Sequence, residues 1–261
     1  NASTTFSGVI SGDGAFSKDG NGTTTLSGVN TLTGATTING GTLSVGGSLS
    51  DLTVVDVASG ATYQLAASDT IGGLQGAGGV DLAGNFLGVN IEDADKSTIF
   101  SGVIAGSNSL SAITKSGSGT LKLSGANTYG GPTTVASGVL EISNPSALGS
   151  STRSSPTNGT KIRQGGALHL TGGASAKDFV LDEQLTLGSY TSPGESIIKL
   201  VSGSATIANP FELQGDTAIE TLSGELLLDD TTASSGNAMI TLGSQCGLRL
   251  LVIFELAGMG L

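Results

Sequence analysis

Acids, bases and nucleophiles at workable spacings are scarce in this 261-residue sequence. It has one histidine, His169, in the alternating run Gly166-Ala167-Leu168-His169-Leu170. Alternation places His169 on the outer face of a strand, solvated and without a positioned partner for general acid–base work. The one cysteine, Cys246, has no disulfide partner and lacks the electropositive setting that activates a thiol. Serines abound, but none stands in a Gly-x-Ser-x-Gly elbow. Gly76-Ala77-Gly78 is followed by Asp81 and Gly117-Ser118-Gly119 by Lys122, so neither completes a dinucleotide-binding glycine pattern. Both read as turns.

Carboxylates remain. Glu92-Asp93-Ala94-Asp95 is the densest acidic run, with Asp182-Glu183 and Asp229-Asp230 behind it. Hard oxygen donors suit Ca²⁺, which takes about 6–8 of them, so Glu92, Asp93 and Asp95 are the candidate metal ligands. A solvated loop is the plainer reading, because Gly78-Gly79-Val80-Asp81 does not complete a calcium-binding nonapeptide. Lys161, Arg163 and Asp182 could meet in a lateral groove of a sugar-cleaving enzyme, yet no spacing requires it. The expectation is no catalytic residue, no cofactor and no enzymatic activity.

Composition narrows the classes further. Ten Lys+Arg against 21 Asp+Glu give a net charge of −11, the wrong sign for a phosphate-binding surface, so no nucleic-acid partner is expected. Glycine numbers 43 without a three-residue period, and Pro only 5, which excludes collagen. A hydrophobic content of 37% can bury a core, while abundant Gly and Thr disfavour helices. No apolar run approaches the roughly 18 residues of a membrane-spanning helix. The chain opens Asn1-Ala2-Ser3, without the pattern of a signal peptide, and reads as a segment of something larger.

The elements that position these residues come from internal repetition. Phe6-Ser7-Gly8-Val9-Ile10 returns as Phe100-Ser101-Gly102-Val103-Ile104, and residues 20–45 align with 117–142 at thirteen of 26 positions. A finer period spaces Gly22, Gly41, Gly60 and Gly79 at equal intervals, and the same interval separates Gly119 from Gly138. Several open a Gly-x-apolar-x-apolar motif that points Leu43 and Val45, Leu121 and Leu123, and Leu140 and Ile142 inward. Units of about 19–20 residues cannot bury their apolar side chains alone, so they must stack. The architecture expected is all-β: a single parallel β-helix over residues 1–245, of about 13 coils and roughly 60 Å. After Gly138 the motif does not reopen until Gly166, well beyond one interval, which marks 145–158 as a loop insertion. Residues 246–261 form an atypical apolar tail, read as a cap over the last coil or as a truncated or frame-shifted end.

The run Ile113-Thr114-Lys115-Ser116-Gly117-Ser118-Gly119-Thr120-Leu121-Lys122-Leu123-Ser124-Gly125-Ala126-Asn127-Thr128-Tyr129, continuing through Gly131, Thr133, Thr134, Val135, Gly138 and Leu140, closely resembles the autotransporter-associated β-strand repeat. Lys18–Val45 is a second copy with Leu32 in place of the tyrosine, and Leu140–Gly149 resembles the usual continuation. The resemblance implies a right-handed parallel β-helix, displayed on the outer surface of a Gram-negative bacterium as the passenger of an autotransporter. It implies anchoring through an outer-membrane translocator barrel that is absent from this chain. The function expected is a non-catalytic, monomeric stalk or adhesin scaffold, with host or matrix glycans or proteins as partners. The alternative is a secreted carbohydrate-binding or carbohydrate-active β-helix protein. Tyr63, Tyr129 and Tyr190 arbitrate: on one outer face they favour adhesion, buried or scattered they favour a spacer.

Overall fold

The computed structural model describes residues 2–106, 108–150, 159–175, 177–188, 196–208, 211–213, 217–228, 240–242 and 248–252. Every strand pair among them is parallel, and no helix occurs among the described residues. An eleven-stranded sheet runs from Phe16–Lys18 to Leu248–Val252 and forms one side of the stack along its whole length. A six-stranded sheet from Thr4–Phe6 to Val103–Ala105 and an eight-stranded sheet from Asp69–Ile71 to Ile240–Leu242 supply the other two sides. The chain visits them cyclically, from eight-stranded to eleven-stranded to six-stranded sheet, as in Asp69–Ile71, Gly73–Gly76 and Gly79–Asp81. A three-stranded sheet of Val180–Leu181, Ala205–Ile207 and Leu226–Leu228 later takes the six-stranded sheet's place in that order. The molecule is a parallel β-solenoid.

Period-2 alternation drives the packing. Leu43, Val45, Leu121, Leu123, Leu140 and Ile142 all point inward and are buried, each stacked on its counterpart in the next coil. The coil length departs from the expected constancy. Lys18, Ile38, Val57 and Gly76 are paired in succession, at steps that keep the expected coil length. Farther on, Ile142 pairs with Leu170 and Leu170 with Leu200, steps about half as long again. Lengthened coils are why the long sheet has eleven strands instead of the thirteen expected. Its ten inter-strand steps, at about 4.8 Å each, span roughly 48 Å. Within the 145–158 insertion, Ala147 and Leu148 are buried, so its start packs into the stack. Residues 151–158 and most of the 246–261 tail lie outside the described residues.

Glycine sets how closely coils approach. A Cβ on Gly28 would lie 2.1 Å from the carbonyl oxygen of Gly8, and one on Gly125 would lie 1.9 Å from that of Gly102. Backbone cannot yield to such contacts without breaking the ladder, so these corners admit only glycine. Gly125→Ala is therefore expected to lower unfolding free energy by about 2 kcal/mol or more in urea denaturation. Gly14→Ala, whose Cβ would meet nothing within 4 Å, should change it by no more than about 1 kcal/mol.

Candidate functional site

Several of the polar groups that the fold takes out of water sit at or beside its corners. Lys18 ends its strand with its side chain turned into the stack and nearly inaccessible. Its Nζ donates to the carbonyl oxygens of Asp19 (3.0 Å), Gly20 (2.7 Å) and Gly40 (2.8 Å), the last belonging to the next coil. Lys115 does the same with Ser116 (2.6 Å), Gly117 (2.9 Å) and Ser137 (3.4 Å). An ammonium has three donors and no acceptor, so three converging carbonyls satisfy it and tie two successive turns together. Burial still pulls the Lys115 ammonium down from 10.5 to about 8.

A second corner carries amides. The buried Asn30 accepts from the backbone N–H of Ile10 in the preceding coil (3.0 Å) and donates to Ser48 O in the following one (2.9 Å). Asn127 accepts from Ile104 N–H (2.8 Å) and donates to Ala147 O (2.6 Å). Lys115 follows Lys18 at the same offset by which Asn127 follows Asn30. The Passenger-associated-transport-repeat family matches residues 16–45 and 113–142, the two segments that contain these pairs. The chain carries passenger-associated transport repeats. No curated protein and no solved structure matches the chain.

The two passenger repeats do not occupy equivalent places. In the first, Phe16–Lys18 and Thr36–Ile38 belong to the eleven-stranded sheet, and Thr23–Leu26 and Thr42–Val45 to the six-stranded one. In the second, Ala112–Ser116 and Thr133–Val135 belong to the eight-stranded sheet, and Thr120–Leu123 and Gly138–Ile142 to the eleven-stranded one. The intervening coils are not a whole number of turns, so the second repeat lies one side round from the first. The periodic glycines divide accordingly. Gly22, Gly41, Gly60 and Gly79 precede or open strands of the six-stranded sheet, while Gly119 and Gly138 precede or open strands of the eleven-stranded sheet. Gly41 and Gly138 share a positive φ, +62° and +65°, that their turns require.

Between the repeats an acid takes the amide's post. Asp69 is buried and accepts from Leu49 N–H (3.2 and 3.1 Å to its two oxygens), Thr70 N–H (3.0 Å) and the Tyr63 hydroxyl (3.0 Å). Burial outweighs these donors and raises its pKa from 3.8 to about 6. Tyr63 and Tyr129 are both fully buried, and their hydroxyls bond Asp69 and Thr133 inside the stack. Burial drives both phenols above their ordinary range. Tyr190 lies outside the described residues.

The residues singled out for chemistry are dispersed. His169 faces outward, but it is half-buried and not freely solvated, because Glu141 and Lys199 of the adjacent coils stack against it. Burial lowers its pKa, with Lys199 adding to the effect and Glu141 and Glu220 opposing it. Glu92, Asp93 and Asp95 are exposed, and two of them serve local turns: Glu92 accepts from Asn90 and Asp93 from the backbone of Asp95. No group of three or more His, Cys, Asp or Glu able to hold a metal ion occurs among the described residues. Lys161 stands between Thr134 and Thr186 in the eight-stranded ladder, and Arg163 is exposed beyond the strand end. The buried carboxylate of the Asp182-Glu183 pair is Glu183, which accepts from the Thr160 hydroxyl (3.1 Å). Asp229, Asp230 and Cys246 lie outside the described residues. The lysine clamp was missed by reading along the chain, although Lys-x-Gly-x-Gly at 18–22 and 115–119 is its signal.

Lys115→Met takes the shared ammonium donor from three corner carbonyls, leaving Ser116 O with the Ile91 N–H, Gly117 O with the Ser137 hydroxyl and Ser137 O with neither, and should cost about 1–3 kcal/mol, against about 0.5 kcal/mol or less for the half-exposed Lys122→Met. Denaturant titration of both variants checks the contrast. For Asp69, a folded-state pKa above the unfolded value means that the native chain binds the extra proton. Its contribution is complete below about pH 4 and lost as pH rises through about 6. Asp69→Asn keeps the acceptor and removes the charge. Its unfolding free energy should therefore be less dependent on pH between 4 and 7, and at pH 7 at least equal to that of the parent.

Proposed function

We propose that this chain is a non-catalytic stalk within the exported passenger of an autotransporter, displayed outside a Gram-negative cell, with an outer-membrane translocator as its anchor. The observation that carries the reading is the phase of the two passenger repeats. Their shared residues include inward leucines, corner glycines, clamping lysines and bridging asparagines, beside threonines and a serine. The repeats sit on different pairs of sides, so the family's pattern builds coil-to-coil contacts and composes no common lateral face.

The outer surface is organised along the same axis. Gln75 donates to Asp56 of the preceding coil (2.9 Å), Asn39 to Asp19 (2.8 Å), and Gln64 to Asp81 of the following coil (3.1 Å). Lys122 pairs with Glu141 (3.0 Å) and Lys199 with Glu220 (3.1 Å), again between coils. Outward polar groups that bond their neighbours above and below stiffen a rod. The two described tyrosines, which would serve an adhesive face best, are in the core.

Beads coated with the folded chain should therefore retain no more glycan or matrix protein than beads coated with an unrelated acidic protein. Substitutions on a single side, such as Ile99→Lys on the eleven-stranded sheet, should leave that result unchanged. Saturable binding that one such substitution abolishes would replace the stalk reading with an adhesin.

A further inference from the structure

The outer face of the eleven-stranded sheet carries a charge pattern that no single coil shows. Lys122, Glu141, His169, Lys199 and Glu220 are paired in register on five successive strands. The residues just before them, Leu121, Leu140, Leu168, Ile198 and Ile219, are buried, so all five point outward. The row reads cation, anion, imidazole, cation, anion, at about 4.8 Å a step. Burial holds the imidazole below its ordinary pKa, so it carries no charge at neutral pH. Counted from His169, each cation on one side has an anion at the same distance on the other. Reversing the row therefore exchanges its signs.

A second outward row lies beside it on the same strands, made of Thr120, Val139, Ala167, Ile197 and Ala218. It is free of charge and has the same centre. Val139 and Ile197, both partly exposed, flank the small Ala167 at equal distances. Within the chain, Lys122 pairs with Glu141 and Lys199 with Glu220. All four side chains stay partly in solvent, with donors and lone pairs to spare.

We infer that this face is a docking surface for a second copy of the chain, set against the first about a two-fold axis that runs along Gly166–Thr171. Such an axis keeps the strand direction and reverses the order of the coils. Lys122 then faces Glu220 and Glu141 faces Lys199, each twice over. Val139 faces Ile197, and Ala167 and His169 meet their own counterparts. A two-fold contact must be self-complementary, and both rows meet that condition. Rods laid in the same direction would set Lys122 on Lys122, and a slip by one coil would set Glu141 on Glu220. A partner of uniform charge would meet both signs. The pairing rests on the sheet register and not on the stalk reading, since neither glycan nor matrix protein enters it. Two rows across five strands make a small interface, so the dissociation constant belongs in the micromolar range.

Sedimentation equilibrium of the 261-residue chain should show a monomer–dimer equilibrium in that range, weakened by salt. Glu141→Lys brings two like-charged contacts with Lys199 into the dimer and should weaken it at least about tenfold. Lys199→Glu does the same with Glu141. An equimolar mixture of the two variants restores opposite charges at all four contacts, and should form a heterodimer about as tight as the parent dimer. That rescue separates docking from an effect on folding, because each variant breaks an ion pair within its own chain whether mixed or not. Ile197→Ser, which leaves every ion pair in place, should weaken the parent dimer about threefold or more. A parent chain that stays monomeric up to about 1 mM, a dimer indifferent to both charge reversals, or a mixture no tighter than either variant alone overturns the proposal.

Discussion

Everything in this solenoid depends on one repeated contact, the seating of each coil on the one before it at a single inter-strand spacing of about 4.8 Å. Backbone hydrogen bonds run between coils, so a coil cannot complete its own bonding. Inward side chains must therefore recur in register, and corners must leave no side-chain atom between successive backbones. Gly28 against Gly8 and Gly125 against Gly102 meet that limit at two different corners. Where the chain needs more length, as between Ile142 and Leu170, the ladder on either side keeps its register.

The same contact explains where polar groups are buried. A turn that ends one strand and begins another leaves carbonyls and amides that sheet pairing does not use, and these cost free energy if left dry. Lys18 and Lys115 gather the carbonyls, Asn30 and Asn127 bridge the amides, and each reaches a neighbouring coil in doing so. Asp69 fills an asparagine's post with a group that can ionise, and so brings a pH dependence that an amide would not. Polar residues scattered along the chain are in space a set of cross-coil ties.

The all-β class, the parallel stack and the inward leucines were legible from alternation and from the recurrence of Gly-x-apolar-x-apolar, because burial on one face of a strand leaves a period of two. The resemblance carried by residues 113–140 agreed with the family match over 113–142. Less legible were the coil count, since insertions after Ile142 lengthen the coils, and the state of His169. Its neighbours Glu141 and Lys199 each lie a whole lengthened coil away along the chain, and so leave no local trace beside the histidine. The lysine clamp was visible only as a repeated Lys-x-Gly, because its third acceptor belongs to the next coil.

By itself the sequence determined that coils of this chain must stack, since its short repeating units carry inward apolar side chains and too little else to cover them. Only the tertiary structure decided which side of the stack each repeat faces. One fixed offset separates equivalent positions such as Lys18 and Lys115, but the angle turned in that span depends on every strand, corner and bulge between them. Small changes in coil length accumulate as rotation about the axis. Equal residues in the two repeats therefore make equal contacts on different sides of the rod.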